Sequence, residues 1–207
     1  KRGTMGFLES FFGPSKKEIW QQVCVELGGR YVDRGFFQSD KMEIDHRNWT
    51  ITFDTYTTRT NNSTTRYTRI RAPYINPDGF RFEIYRKSIF SSLGKLFGLQ
   101  DITIGDPQFD DDFIIKSNDQ YKVMALLSNH EIKNLITLQP QIYFSVKDDE
   151  GWFSKKFPKG VDELYFRVVG YIRDIDRLKN VYDLFTTTLD YLCRIGSAYE
   201  NDPGVKI

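Results

Sequence analysis

Between Arg59 and Lys87, seven basic side chains (Arg59, Arg66, Arg69, Arg71, Arg81, Arg86 and Lys87) meet only two acidic ones, Asp78 and Glu83, a local excess of five positive charges. Tyr56, Tyr67 and Tyr85 are interleaved with them. Cations set among aromatic rings make a surface suited to an anion or to single-stranded nucleic acid. Strand geometry divides the charges, however. In Arg66-Tyr67-Thr68-Arg69-Ile70-Arg71 the two-residue period puts Arg69 and Arg71 on one face and Arg66 on the other. The competing expectation is a solvated sheet face whose arginines pair with nearby carboxylates.

A second cluster, Asp101, Asp106, Asp110, Asp111 and Asp112, offers the oxygen ligands that a hard cation needs. It lacks the Asp-x-Asp-x-Asp-Gly spacing of a calcium loop, so Asx turns leading into a strand at Phe113 are expected instead of a metal site. No cofactor is expected. Were the chain a small-ligand carrier or an enzyme, Arg69, Arg71, Asp101 and Asp106 are the groups expected to converge in a pocket. His46 and His130 are the only histidines, one beside a polar turn and one in the first turn of a helix, so general acid–base chemistry has few carriers. No nucleophile elbow, phosphate-binding glycine loop, His-Glu-x-x-His or paired-cysteine spacing occurs, and no catalytic residue is assigned.

Two apolar segments are candidates for contact with a protein partner or a second copy of the chain. One contains Phe7, Leu8, Phe11 and Phe12, and the other Leu93, Leu96, Phe97 and Leu99. Phe11, Phe12, Leu96 and Phe97 are the residues expected to form such a patch. Both segments are short and lack a strongly basic polar face, which argues against peripheral membrane contact.

The elements that must position these groups follow from periodicity. Residues 1–14 form an apolar arm broken by Gly and Pro, 15–200 a single domain, and 201–207 a tail. Ser15 and Glu18 have capping-box spacing ahead of Ile19, Trp20, Val23 and Leu27 at helical intervals. Tyr31-Val32 and Lys41 to Ile44 are short strands. Trp49 to Asp54 and Phe80 to Tyr85 alternate apolar with polar residues, Thr64 to Ala72 is a strand rich in β-branched and aromatic residues, and the Asn61-Asn62-Ser63 and Asn76-Pro77-Asp78-Gly79 turns are expected to join the three as a meander. Residues 88–100 are expected to be a loop with one or two helical turns. Phe113 to Ile115 is a short strand, and Ser117 and Ser128 each begin a capping-box pattern, so Asp119 to Leu138 should be two helices or one kinked helix. Gln141 to Val146 and Leu164 to Ile172 are further strands, with a basic loop from Lys155 to Lys159 between them. Ile175 to Gly196 carries one apolar stripe as the longest helix. The predicted fold is α+β. It has an antiparallel sheet, a meander of about three to five strands plus a later strand pair, packed by an N-terminal helix, a middle helical segment and a long C-terminal helix.

Global composition excludes several classes. The net charge is +1 over 207 residues, so nothing global favours nucleic acid or an anionic membrane. No apolar run is long enough to span a bilayer as a helix. Cys24 and Cys193 form no disulfide framework, and a cytoplasmic location is expected.

The chain resembles an uncharacterised family of bacterial domains of unknown function. The resemblance is carried by Trp49-Thr50-Ile51-Thr52-Phe53-Asp54-Thr55-Tyr56, Tyr67-Thr68-Arg69-Ile70-Arg71-Ala72-Pro73, Gly79-Phe80-Arg81-Phe82 and Gln100-Asp101-Ile102-Thr103-Ile104-Gly105-Asp106, with Phe109-Asp110 and Phe113-Ile114-Ile115-Lys116. It implies a bacterial, cytoplasmic protein with an apolar arm ahead of the domain, and it implies no catalytic residue. The order of elements is also loosely similar to that of secretion chaperones, which bind peptides and are often dimers. The leading expectation is a non-enzymatic binding module with a protein partner, and the alternative a small-ligand carrier or enzyme with an Arg- and Asp-lined pocket.

Overall fold

The structure, a computed structural model, describes residues 14–35, 39–60, 62–88, 99–148, 157–205 and 207. Residues 1–13 of the expected apolar arm, 89–98 of the expected loop with helical turns, and 155 and 156 of the basic loop lie outside the described residues. So do Phe11, Phe12, Leu96 and Phe97. The elements run α1 (Lys16–Leu27), β1 (Arg30–Val32), β2 (Lys41–His46), β3 (Trp49–Arg59), β4 (Thr64–Ile75), β5 (Phe82–Arg86), β6 (Gln100–Ile102), α2 (Pro107–Asp112), β7 (Phe113–Ser117), α3 (Gln120–Ser128), α4 (His130–Thr137), β8 (Tyr143–Lys147), β9 (Val161–Val169) and α5 (Ile175–Arg194). The α+β class and the antiparallel sheet are as expected. No helix among the described residues is long and apolar enough to cross a membrane.

All nine strands form one sheet in the order β1-β2-β3-β4-β9-β8-β5-β7-β6, with every neighbouring pair antiparallel. The first four strands are a meander. The expectation that β5 continues it is corrected, because the late pair β8–β9 inserts between β4 and β5. The reason is pairing length: β4 registers with β9 over the whole run from Tyr67↔Val169 to Ile75↔Val161, whereas β5 has only five residues. The Asn76–Gly79 turn therefore leaves the sheet instead of closing a hairpin. Asn76 is held there by its amide, which donates to Phe80 O at 3.0 Å and to Asp162 Oδ2 at 2.6 Å.

One face of the sheet is apolar and carries the helices. Trp49, Ile51 and Phe53 of β3, Ile70, Ala72 and Tyr74 of β4, Leu164 and Phe166 of β9 and Phe144 of β8 point into a single buried core with α1, α3, α4 and α5. Phe185 of α5 meets Phe144 at 5.8 Å between ring centres, and the Tyr191 hydroxyl donates to Ala125 O of α3 at 2.7 Å. The α1 start is the expected capping box: Glu18 N donates to Ser15 Oγ at 3.3 Å, and Ser15 N to Glu18 Oε2 at 2.7 Å.

Two expected caps are corrected. The α3 cap is Asp119, whose carboxylate accepts from Lys122 N, while the Ser117 hydroxyl is committed to Arg81 O and Asp119 O. The α4 cap is Asn129 in place of Ser128, accepting from Glu131 N and Ile132 N. Short side chains that reach the same backbone donors compete within a few residues of sequence, and the one already bonded elsewhere loses.

Alpha-helix α1 is forced close to the sheet at Gly29, where an added Cβ would sit 2.7 Å from Ile44 Cγ1 and 2.9 Å from Glu43 O. Gly29→Ala is therefore expected to lower stability by about 1–3 kcal/mol, because the obstructing carbonyl belongs to β2 backbone. Phe144→Ala should cost about 3–5 kcal/mol through cavity formation. Urea denaturation checks both, and an unchanged midpoint for either variant would refute the packing described.

Candidate functional site

The sheet's second face is not a mirror of the first. Successive residues of a strand alternate sides, so Asp54 and Tyr56 of β3, Tyr67, Arg69 and Arg71 of β4, Glu163, Tyr165 and Arg167 of β9, Tyr143, Ser145 and Lys147 of β8, and Glu83 and Tyr85 of β5 all share it. The registers align them in rungs. Asp54, Arg69, Arg167, Tyr143 and Tyr85 lie side by side across five strands, and Arg71, Tyr165, Ser145, Glu83 and Lys116 form the next rung. Much of this polar surface is withdrawn from water: Asp54, Arg71, Glu83, Tyr143, Ser145, Glu163 and Tyr165 are all buried.

At its centre one carboxylate serves two guanidiniums. Arg69 donates Nε to Asp54 Oδ1 at 2.8 Å and Nη2 to Oδ2 at 2.7 Å, and Arg71 Nη2 donates to Oδ2 at 2.9 Å. Burial works to raise the Asp54 carboxyl, but the Arg69 bond and the Arg71 and Arg69 charges outweigh it and hold it below the usual carboxylate range. Around this triad the rings are ordered. Tyr56 stacks on Tyr67 at 5.0 Å and 15°, with the Arg69 guanidinium 5.0 Å from the Tyr56 ring centre. Arg167 lies 5.4 Å from the Tyr67 ring and 5.0 Å from the Tyr143 ring.

Lys147 completes the face. Its Nζ sits 3.4 Å from the Tyr165 ring centre and 5.3 Å from that of Tyr143. Burial, helped by the Arg167 charge, pushes its ammonium down to about 8, against the opposing pull of Glu163 and Glu83. The Tyr143 hydroxyl donates to Glu83 Oε1 at 3.2 Å, and burial raises the Glu83 carboxyl above its ordinary range.

Of the four polar residues expected to converge, the structure brings two together. Arg69 and Arg71 meet at Asp54. Asp101 lies on the edge strand β6 with an 81% exposed side chain, 3.6 Å from Lys116 Nζ. Asp106 caps α2 by accepting from Phe109 N and binds Lys133 Nζ at 2.8 Å. Asp110 accepts from Ile104 N and Gly105 N, so the acidic segment performs turn and capping chemistry around a helix that periodicity had not indicated. Among the described residues no group of three or more His, Cys, Asp or Glu side chains is placed to hold a metal ion. His46 Nε2 lies 3.0 Å from Asp190 Oδ1, its ring stacked on Trp49, and His130 is exposed. Arg66 is on the helix-bearing side, 6.0 Å from the Tyr171 ring. A concave region of about 370 Å³ lies beyond Arg71, lined by Arg30, Lys41, Glu43, Thr50, Thr52 and Pro73 with tail residues; none of Arg69, Arg71, Asp101 or Asp106 borders it.

Sequence reasoning missed Asp54, Arg167, Lys147, Tyr143 and Tyr165. A signal existed in β9, where Glu163, Tyr165 and Arg167 alternate with Leu164, Phe166 and Val168. That pattern marks a strand with a polar face, but which strand lies beside it is not a local property. No family model, curated protein or solved structure matches the chain, so the site rests on its geometry alone.

Two variants test the electrostatics. Asp54→Asn removes the charged acceptor that the buried Arg71 and the half-buried Arg69 share and is expected to cost about 3–5 kcal/mol. For Lys147 the folded-state pKa lies below the unfolded value. Below pH 8 the lysine is protonated in both states, and the folded state bears the full cost of burying the charge. That cost is relieved as pH rises from about 8 towards 10.5, the ordinary lysine value. Lys147→Met should therefore be more stable than the parent at pH 7, by on the order of 1–3 kcal/mol, with the gain shrinking above pH 8. Urea titrations at pH 7 and pH 10 check this, and a destabilised variant at pH 7 would contradict the burial argument.

Proposed function

We propose that this protein is a non-enzymatic binding module whose recognition surface is the tyrosine- and arginine-lined face of the sheet. One observation carries the reading: a nine-stranded sheet uses one face for its core and, on the other, orders the half-buried Tyr56, Tyr67, Arg69 and Arg167 beside the buried Tyr143 and Tyr165. Tyr and Arg are residues in which binding energy concentrates, Tyr because it offers a large flat contact with a polar end and few rotamers to freeze, Arg because its planar guanidinium stacks on rings and donates several hydrogen bonds at once. Residues held by central strands lose little further freedom when a partner arrives. A protein partner is the primary reading.

The second reading, a small-ligand carrier, is favoured by the enclosure of Asp54, Arg69 and Arg71. Buried polar groups paired within a sheet suit an occupant that is taken wholly out of water. Enzymatic roles have less support, since both histidines stand away from this face.

Tyr67→Ala removes the ring shared by Tyr56 and Arg167 while leaving the Asp54 triad in place. In affinity capture from the native host, a specific partner retained by the parent chain is expected to be lost or reduced at least tenfold with this variant. The variant should remain folded by circular dichroism. Capture that is indifferent to Tyr67 would overturn the assignment of this face as the recognition surface.

A further inference from the structure

We infer that this face holds a seat for an oxyanion, a carboxylate or phosphate group, between Arg167 and Lys147; the inference rests on the reading of the face as a recognition surface. The argument begins with cross-strand register. Arg69 and Arg167 are directly opposed on β4 and β9, a like-charge pairing that destabilises a sheet unless something neutralises it. Asp54 does so for Arg69, and for Arg71 beside it. Arg167 has no such partner: among the described residues no carboxylate lies within 4.0 Å of its guanidinium, and its polar contact is a long one, 3.4 Å to the Tyr56 hydroxyl.

Lys147 is in the same position. Glu163 is opposite it in register, yet no described carboxylate comes within 4.0 Å of its ammonium, which rests on the Tyr165 ring instead. Both cations converge on one ring, Tyr143, at 5.0 and 5.3 Å from its centre. Two desolvated cations held this close repel each other, and an anion between them removes both the repulsion and the desolvation cost.

The neutral groups nearby point the same way. Ser145 stands between Tyr143 and Lys147 on β8 and the same face, fully buried, and its hydroxyl makes no hydrogen bond of good geometry, its polar neighbour being the Tyr143 hydroxyl. A buried hydroxyl held this way keeps donor capacity that a bound oxygen would accept. The Tyr56 and Tyr165 hydroxyls are 3.4 Å apart, too long for a good O–H···O bond, so they retain donor capacity. A guanidinium and an ammonium, flanked by hydroxyls able to donate, select an acceptor bearing several oxygens and negative charge, while the buried Glu83 and Glu163 on the same face offset part of the positive charge. The anion has two sources, a free small molecule or an acidic side chain of a protein partner, and the chemistry of the seat is common to both.

The test is titration of the full chain with inorganic phosphate, succinate and an end-blocked triglutamate peptide at constant ionic strength set with chloride, read by amide chemical shifts and thermal midpoint. Saturable binding of a small anion, weakened at least tenfold in Lys147→Met and in Arg167→Gln but not in the remote Arg47→Gln, would establish the seat and a free ligand. Binding of the peptide alone, with the same dependence, would establish it for a partner's side chain. Because Lys147→Met is expected to be the more stable protein, its loss of binding is not a folding artefact. If neither probe class binds, or if binding ignores both substitutions, the seat is refuted. Partner capture that still depends on Tyr67 would then leave the reading of the face standing, and capture that ignores Tyr67 would remove both.

Discussion

The carboxylate of Asp54, shared by Arg69 and Arg71 in the interior of the sheet, is the interaction on which the rest depends. An isolated buried guanidinium is too costly to keep, so the pair requires Asp54 opposite Arg69 and no other register. A slip of one residue between β3 and β4 would drive Arg69 and Arg71 to the side now taken by Ile70 and Ala72, and carry those apolar residues away from the core. The ion triad and the apolar face thus enforce one alignment from opposite sides. Through β4 the same alignment passes to β9 and β8, because Arg71 stands opposite Tyr165 and Tyr165 opposite Ser145.

The two faces divide the physical work. Burial against α1, α3, α4 and α5 supplies the non-directional stabilisation that holds the chain compact, and it tolerates exchange of one aliphatic residue for another. The polar face contributes less net stability and more specificity, since each of its contacts has a direction and a required partner. Lys147 is the clearest case. Its charge is expensive where it sits, and the aromatic rings beneath it offset only part of that expense. Local violations of stability of this kind are concentrated where a surface has been shaped for something other than folding.

How much of this was legible in the sequence depended on the range of the interaction. The α1 capping box, the alternation of Trp49, Ile51 and Phe53, the two-helix break near Asn129 and the stripe of α5 are local, and each appears where the periodicity put it. That Arg69 and Arg71 share a face opposed to Arg66 was equally local. The position of β5 was not, because a short turn shows only that two strands could pair, while the longer β4–β9 ladder decides that they do not. The site suffered the same limit. Asp54 and Arg69 are fifteen residues apart and joined by one hairpin, but Arg69 and Arg167 are brought together only by the order of strands. Asp101 and Asp106 misled for a different reason. Carboxylates that cap a helix or accept backbone amides have the same composition as carboxylates that gather in a pocket, and only the direction of each side chain separates them.

A site built on strands has consequences for what it can do. Tyr143, Ser145 and Lys147 come from one strand and Tyr165 and Arg167 from its neighbour, both in the middle of the sheet, so their spacing is set by backbone ladders instead of by mobile loops. Such an array holds its donors in fixed positions before any ligand arrives, and the entropic cost of binding is correspondingly small. Burial raises the Tyr143 and Tyr165 hydroxyls, which keeps both protonated near neutrality, and it raises the Glu83 carboxyl above its ordinary range. Fixed donors, positive charge and aromatic walls are the physical ground for the proposal that this face is a recognition surface.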